Sequence, residues 1–171
     1  MSPINLTIRP LQAQDIQPMA DAFTQIGWNK PASQYERYLA EQQAGTRVCL
    51  VAFVEDDFAG YVNVLWQSDY APFHAASIPE VADFNVLPHY RRQHIGTRLM
   101  DEAEALIVQR SPVAGIGVGM YPDYGAAQRM YVLRGYVPDG RGIMYDARQL
   151  QYGEQVTNDD SLNLYFTKQL A

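Results

Sequence analysis

Little in this sequence can cross-link the chain or carry it into a membrane. It holds one cysteine among 171 residues, so no disulfide can close within it and no site that needs two of its own thiolates can form. Cys49 lies in the apolar run 48–54, where a small buried strand residue is a simpler reading than a reactive thiol. No apolar stretch approaches the ~20 residues that span a bilayer. The opening residues, Met1 to Thr7, have neither the basic start nor the apolar block of a signal peptide, so the expected compartment is the cytoplasm. Cations are scarce: 13 Lys and Arg against 19 Asp and Glu leave a net charge of −6, which argues against nucleic acid and anionic membranes as partners. There is no repeat and no low-complexity linker to mark a boundary, so one domain over residues 1–171 is expected. A chain of this length buries roughly two-thirds of its unfolded surface and needs no metal staple; no metal is expected.

What is present is periodicity. Ile4, Leu6 and Ile8 alternate with polar neighbours and predict a strand over 4–9. Ile16, Met19, Phe23 and Ile26 fall at helical intervals that Gly27 ends, and Ser33 with Glu36 has capping-box spacing for a second helix closed by Gly45. Residues 47–54 and 58–66 read as a hairpin around Glu55, Asp56 and Asp57, followed by a loop over 68–79. A strand over 79–87 precedes the clearest helix, 95–110, whose apolar stripe is Ile95, Leu99, Met100, Ala103, Leu106 and Ile107. A strand over 113–120, a helix over 124–134 with Gly135 past its end, a short strand near Tyr136 and a strand over 162–168 complete the chain. Alternating strands and helices behind a hairpin describe a mixed sheet with helices on both faces, α/β or α+β. Gly115, Gly117 and Gly119 share one strand face, where a closely packed helix or a ligand cleft would explain three missing side chains.

The informative stretch joins the 79–87 strand to the 95–110 helix: Val86, Leu87, Pro88, His89, Tyr90, Arg91, Arg92, Gln93, His94, Ile95, Gly96, Thr97. A strand passes through a basic turn straight into a helix N-terminus, where the first amides lack intrahelical partners and the dipole favours an anion. Such a turn suits a phosphate or diphosphate, although a solvated basic cap would look the same. A second stretch, Tyr124 to Tyr136, carries Ala127, Tyr131, Gly135 and Tyr136.

Together these segments resemble the GNAT superfamily of N-acetyltransferases. Its phosphate loop, Arg/Gln-x-x-Gly-x-Gly/Ala, is matched by Arg91, His94 and Gly96 after Val86, Pro88 and Tyr90. Its later helix pattern, Ala-x-x-x-Tyr-x-x-x-Gly-Phe/Tyr, is matched by Ala127, Tyr131, Gly135 and Tyr136. The sequence departs at His94, where the pattern has glycine, and at Tyr124, where many members carry asparagine. The resemblance implies one domain with a mostly antiparallel central sheet of about six to seven strands, in which a splayed strand pair forms an acyl-CoA cleft. It implies acetyl transfer from acetyl-CoA to a primary amine of a small molecule or peptide, by direct attack in a ternary complex. The diphosphate would lie on the amides of Arg91, Arg92, Gln93, His94, Ile95, Gly96 and Thr97, and the pantetheine arm beside Phe84 and Val86. Tyr131 would protonate or hydrogen-bond the departing sulfur; its plain alternative is a core tyrosine. Glu80 would serve as the base that takes the ammonium proton, with Asp83 and His74 as alternatives. A homodimer is a further expectation from the family.

An acyl-CoA-binding module without catalysis, and a nucleotide-binding protein using the same helix end, are the rival readings. On the acceptor side, residues 139–160 carry five acids and two arginines, net −3, a rim that would attract a cationic amine or simply face solvent.

Overall fold

The computed structural model describes residues 5–171, so Ile4 of the first predicted strand lies outside the described residues. Among these residues there are eight strands and five α-helices. The chain packs as two compact units, residues 5–65 with 82–106, and residues 66–81 with 107–171. No helix among the described residues is long and apolar enough to cross a membrane.

In the first unit β1 (Leu6–Pro10), β2 (Arg47–Val54) and β3 (Asp57–Leu65) form an antiparallel run, with Ile8 opposite Ala52 and Leu50 opposite Val62. The predicted hairpin turn is there, with Glu55 left-handed at φ 55°. Helix α1 (Ile16–Gln25) buries Met19, Ala20 and Phe23 and stops at Gly27, whose φ of 76° only glycine adopts without strain. The capping box expected at Ser33 and Glu36 does not form. Helix α2 (Ala32–Gln43) begins two residues earlier, with Pro31 extended at its N-cap, which puts Ser33 inside the first turn rather than at the boundary. The reciprocal contact appears upstream instead, where Asp15 accepts the Gln12 amide at 2.8 Å and grips Arg9 through both oxygens. Met19, Phe23, Tyr35, Cys49, Val51 and Tyr61 build the core of this unit. Cys49 is fully buried, and burial pushes its thiol pKa up, as an inert strand residue requires.

Strand β4 (Glu80–Val86) leads through a 3₁₀ turn at Pro88–Tyr90 into helix α4 (Ile95–Ile107). Ile95, Leu99, Met100, Ala103 and Ile107 are buried as the stripe predicts, while Asp101 and Glu102 are exposed. Just past β4 the Leu87 amide bonds to the Ala59 carbonyl of β3 at 2.9 Å. Backbone groups alternate in direction along a strand, so those of Val86 turn to the opposite edge.

In the second unit the first residues of β4 pair in parallel with β5 (Val113–Gly119), Glu80 with Gly115 and Val81 with Ile116. β5 pairs antiparallel with β8 (Leu162–Gln169), β8 with β6 (Val137–Tyr145), and β6 with β7 (Arg148–Gln149). Eight strands therefore stand where six to seven were expected. β6 runs nine residues because Gly140 and Gly142, at φ 84° and 75°, bend it and shift its register between Pro138 and Ile143, which erases the alternation that would announce a strand. The 68–79 loop contains a short helix, α3 (Ala71–Ala75). Helix α5 (Gly125–Leu133) is shorter than predicted, a 3₁₀ turn at Pro122–Tyr124 taking up its start.

The glycine stripe of β5 is covered by aromatic rings. A Cβ on Gly115 would stand 2.4 Å from the Phe73 ring, one on Gly117 2.9 Å from Tyr165, and one on Gly119 2.4 Å from Tyr124. Tyr70 stacks on Tyr165 with centroids 3.7 Å apart, and Phe73 meets both edge-on.

Candidate active site

The loop between β4 and α4 is marked by its backbone. Arg92 and His94 are both left-handed, with φ 60° and 62°. Alternating left-handed residues can curl successive N–H groups toward one side, and this pair lies just before a 13-residue helix. The first helical hydrogen bond runs from the Arg98 amide to the His94 carbonyl at 3.0 Å, leaving the amides before it outside the helical ladder. Arg91, Arg92 and His94 are exposed, Gln93, Gly96 and Thr97 half-buried, and Ile95 buried as the anchor. The Gln93 side chain bonds back to the His89 carbonyl at 3.0 Å and stiffens the turn. Gly96 permits close packing: a Cβ there would stand 3.1 Å from the Phe84 ring. The Arg91 Nε donates to the Val86 carbonyl at 3.1 Å, so one lone pair of that oxygen is already engaged.

The two strand carboxylates differ sharply. Asp83 has φ 40°, a left-handed residue inside β4, which breaks the strict period-2 phase and makes the strand irregular at this point. Its carboxylate accepts from Lys30 Nζ at 2.9 Å, Tyr61 at 2.6 Å, Tyr38 at 2.7 Å, Gln34 at 3.0 Å and Asn85 at 2.9 Å. Burial pulls its pKa upward, but the Lys30 charge and the Tyr61 and Tyr38 hydroxyls outweigh that, and the carboxyl sits below its usual range. Asp83 is thus a saturated anion with low proton affinity. Glu80, in the second unit, accepts from the Ser68 hydroxyl. Burial raises its pKa, the Ser68 bond offsets part of the rise, and Asp69 adds to it. Of the two, Glu80 has the higher proton affinity. His74 is exposed, with Nδ1 3.2 Å from the Ser68 carbonyl, and Ser68 and His74 line one pocket of this unit.

Tyr131 is buried on α5, and desolvation pushes its phenol pKa up, so the hydroxyl keeps its proton. The spacing from Tyr131 to Gly135 and Tyr136 is that of a Schellman cap. The Tyr136 amide bonds to the Tyr131 carbonyl at 3.0 Å and the Gly135 amide to the Val132 carbonyl at 3.0 Å, with Gly135 at φ 91°. The two tyrosine rings meet at 6.0 Å, the apolar contact that accompanies such a cap. The cap fixes the helix end that carries Tyr131.

The sequence model described as Acetyltransferase (GNAT) family matches residues 13–136. The chain belongs to the GNAT acetyltransferase family. No curated protein matches the sequence of this GNAT chain, whereas solved structures share its fold over almost its whole length. A GNAT-family protein from Desulfovibrio desulfuricans aligns with TM-score 0.71 at 15% identity, covering 97% of this chain and 99% of the other. YncA from Salmonella typhimurium, solved with its cofactor acetyl-CoA, aligns with TM-score 0.68 at 15% identity over 97% and 94%. A ribosomal-protein-alanine N-acetyltransferase from Brucella melitensis aligns with TM-score 0.69 at 17% identity over 96% and 99%.

Two features of this GNAT chain answer its departures from the family pattern. His94 takes up the left-handed conformation that makes glycine the usual residue. Tyr124 lays its ring over Gly119 and donates its hydroxyl to Asp160 at 2.9 Å, beside Tyr121 at 2.6 Å. Most acids of the 139–160 segment have local partners: Asp139 accepts from Tyr70, Glu154 pairs with Arg148, and Asp159 accepts from Tyr145. Lys30, Tyr61 and Ser68 are not singled out by the sequence, and Tyr38 is singled out only as one of the aromatics that could line an acceptor pocket. The available signal was Tyr61 and Asn63 breaking the apolar interior of β3, since polar groups buried in a strand need partners.

Proposed function

We propose that this GNAT protein transfers an acetyl group from acetyl-CoA to a primary amine of a small molecule or peptide. The observation that carries the reading is the β4–α4 loop, where left-handed Arg92 and His94 immediately precede a helix N-terminus, a backbone suited to gather the amides of 92–97 around an anion. That geometry fits a diphosphate: the amides supply directional donors, and exposed Arg91 and Arg92 supply charge in an otherwise acidic chain. Beside it, the β4 edge that faces away from β3 offers the backbone groups of Phe84 and Val86 to the pantetheine arm.

In this mechanism Glu80 takes the proton that the acceptor ammonium must lose before attack, directly or through water. Its raised pKa supports the role, because a desolvated carboxylate binds a proton more tightly. Tyr131 keeps its phenolic proton near neutral pH and is suited to donate it, or a hydrogen bond, to the departing thiolate. The amine attacks the thioester carbonyl, the C–S bond breaks, and the amide and free CoA leave.

Incubation with acetyl-CoA and a diverse amine panel, followed by free-thiol detection, tests the reading. Acceptor-dependent thiol release is the expected result; CoA binding with no release on any amine would favour a binding module. With an acceptor in hand, Tyr131→Phe should lower kcat by about 10²-fold while leaving CoA affinity unchanged. A loss below about a factor of two would remove the hydroxyl from the mechanism.

A further inference from the structure

The Asp83 cluster has no part in the mechanism above, yet it draws donors from several segments of its unit. Five side-chain donors from four segments converge on one carboxylate: Lys30 before α2, Gln34 and Tyr38 on α2, Tyr61 on β3 and Asn85 on β4. A sixth, Asn63 of β3, reaches the Asp83 main-chain carbonyl at 3.4 Å. Tyr61 and Asn63 are fully buried, so their polar groups would be costly without partners. The residue they hold is the one left-handed position in β4. An ion pair that only tied α2 to the sheet would not need a strained backbone, whereas a strained backbone needs surroundings that over-determine it. The torsions at Asp83 set the direction of the 83–84 peptide and so of the strand edge that continues through Phe84 and Val86.

We propose that Asp83 is a positioning residue: gripped by Lys30, Tyr38 and Tyr61, it holds the left-handed break in β4 and thereby aims the backbone of Phe84 and Val86 at the pantetheine arm of CoA. The inference rests on the CoA reading of the β4–α4 loop, and it makes a demand that reading does not. Loss of the Asp83 grip should disturb recognition of the pantetheine arm and spare recognition of the diphosphate, which belongs to residues 91–97.

The test is calorimetric titration of wild type, Asp83→Asn and Lys30→Met with two probes, CoA and 3′-phospho-ADP, which keeps the diphosphate and lacks pantetheine. Asp83→Asn is expected to weaken CoA about tenfold and 3′-phospho-ADP less than about twofold, since misplacing a positioned group penalises only the contacts it aligns. Lys30→Met should show the same selectivity at about threefold, and it carries the comparison alone if Asp83→Asn does not fold. Equal losses on both probes would reduce the cluster to a structural tie, and unchanged CoA affinity in a folded variant would also overturn the proposal. Wild type binding neither probe would instead overturn the CoA reading itself, and this proposal with it.

Discussion

His94 provides the sharpest test of the phosphate loop, because its backbone and its side chain make opposite demands. The residue is exposed, so its ring has little packing to lose, yet φ is 62°. A left-handed conformation costs an L-residue about 1–2 kcal/mol. Glycine escapes that cost but loses about 0.5–1 kcal/mol through the greater freedom of its unfolded chain. The balance makes His94→Gly stabilising by roughly 0.5 kcal/mol, or about 1–2 °C in Tm for a domain of this size. Valine keeps the loop backbone N–H but is β-branched, for which φ > 0 is a true outlier, so His94→Val should lose about 1–2 kcal/mol. The amides that would grip a diphosphate persist in both variants. CoA affinity should therefore hold or rise with glycine, which removes a side chain from the cradle, and fall with valine, which distorts it. Urea denaturation and CoA titration on the three proteins read both quantities. Glycine costing 1 kcal/mol or more, with valine at or above wild type, would refute the backbone argument. A CoA loss above about tenfold with glycine would make the imidazole itself a ligand contact.

Two further predictions concern burial and close approach. The Glu80 pKa is raised in the folded protein, so the native state holds this proton more tightly than the unfolded chain; the associated stability is present below the ordinary glutamate value of 4.5 and is lost as pH rises through the folded value. Glu80→Gln should accordingly gain Tm over wild type at pH 8 and lose that advantage at pH 4, and an equal difference at both would show that the carboxyl is not desolvated. Gly60→Ala would place a Cβ 2.5 Å from the Asn85 carbonyl oxygen, a backbone atom, whereas Gly115→Ala would meet a side chain, the Phe73 ring, at 2.4 Å, whose displacement need not move a strand. Urea midpoints should show a loss of roughly 2–3 kcal/mol at Gly60 and less at Gly115, and the reverse order would contradict the close approach of β3 to β4.

The parts of the candidate site legible in the sequence are those built from contiguous residues that set their own backbone geometry. Val86 through Thr97 must make a strand end, a turn and a helix start, and each step has a residue preference that can be read in order. Tyr131, Gly135 and Tyr136 are legible for the same reason: a Schellman cap requires a left-handed residue four positions after Tyr131, and glycine fills it. Choosing between Glu80 and Asp83 was different in kind. Periodicity placed them on opposite faces but could not reveal a left-handed φ at Asp83, since that torsion is sustained by donors 53 residues away at Lys30 and 22 away at Tyr61. The β5 glycines stand out in the sequence, but what covers them does not, because the rings of Phe73, Tyr165 and Tyr124 come from three separate segments. Local rules failed even nearby where two of them competed: Ser33 and Glu36 had the right spacing for a cap, but Pro31 had already turned the chain into α2. Sequence reading therefore reaches as far as the backbone is its own cause. The surroundings of Glu80, Tyr131 and Asp83 are set by packing across the chain, so tests of the proposed base, acid and positioning residue belong there, and tests of the proposed cradle on residues 91–97.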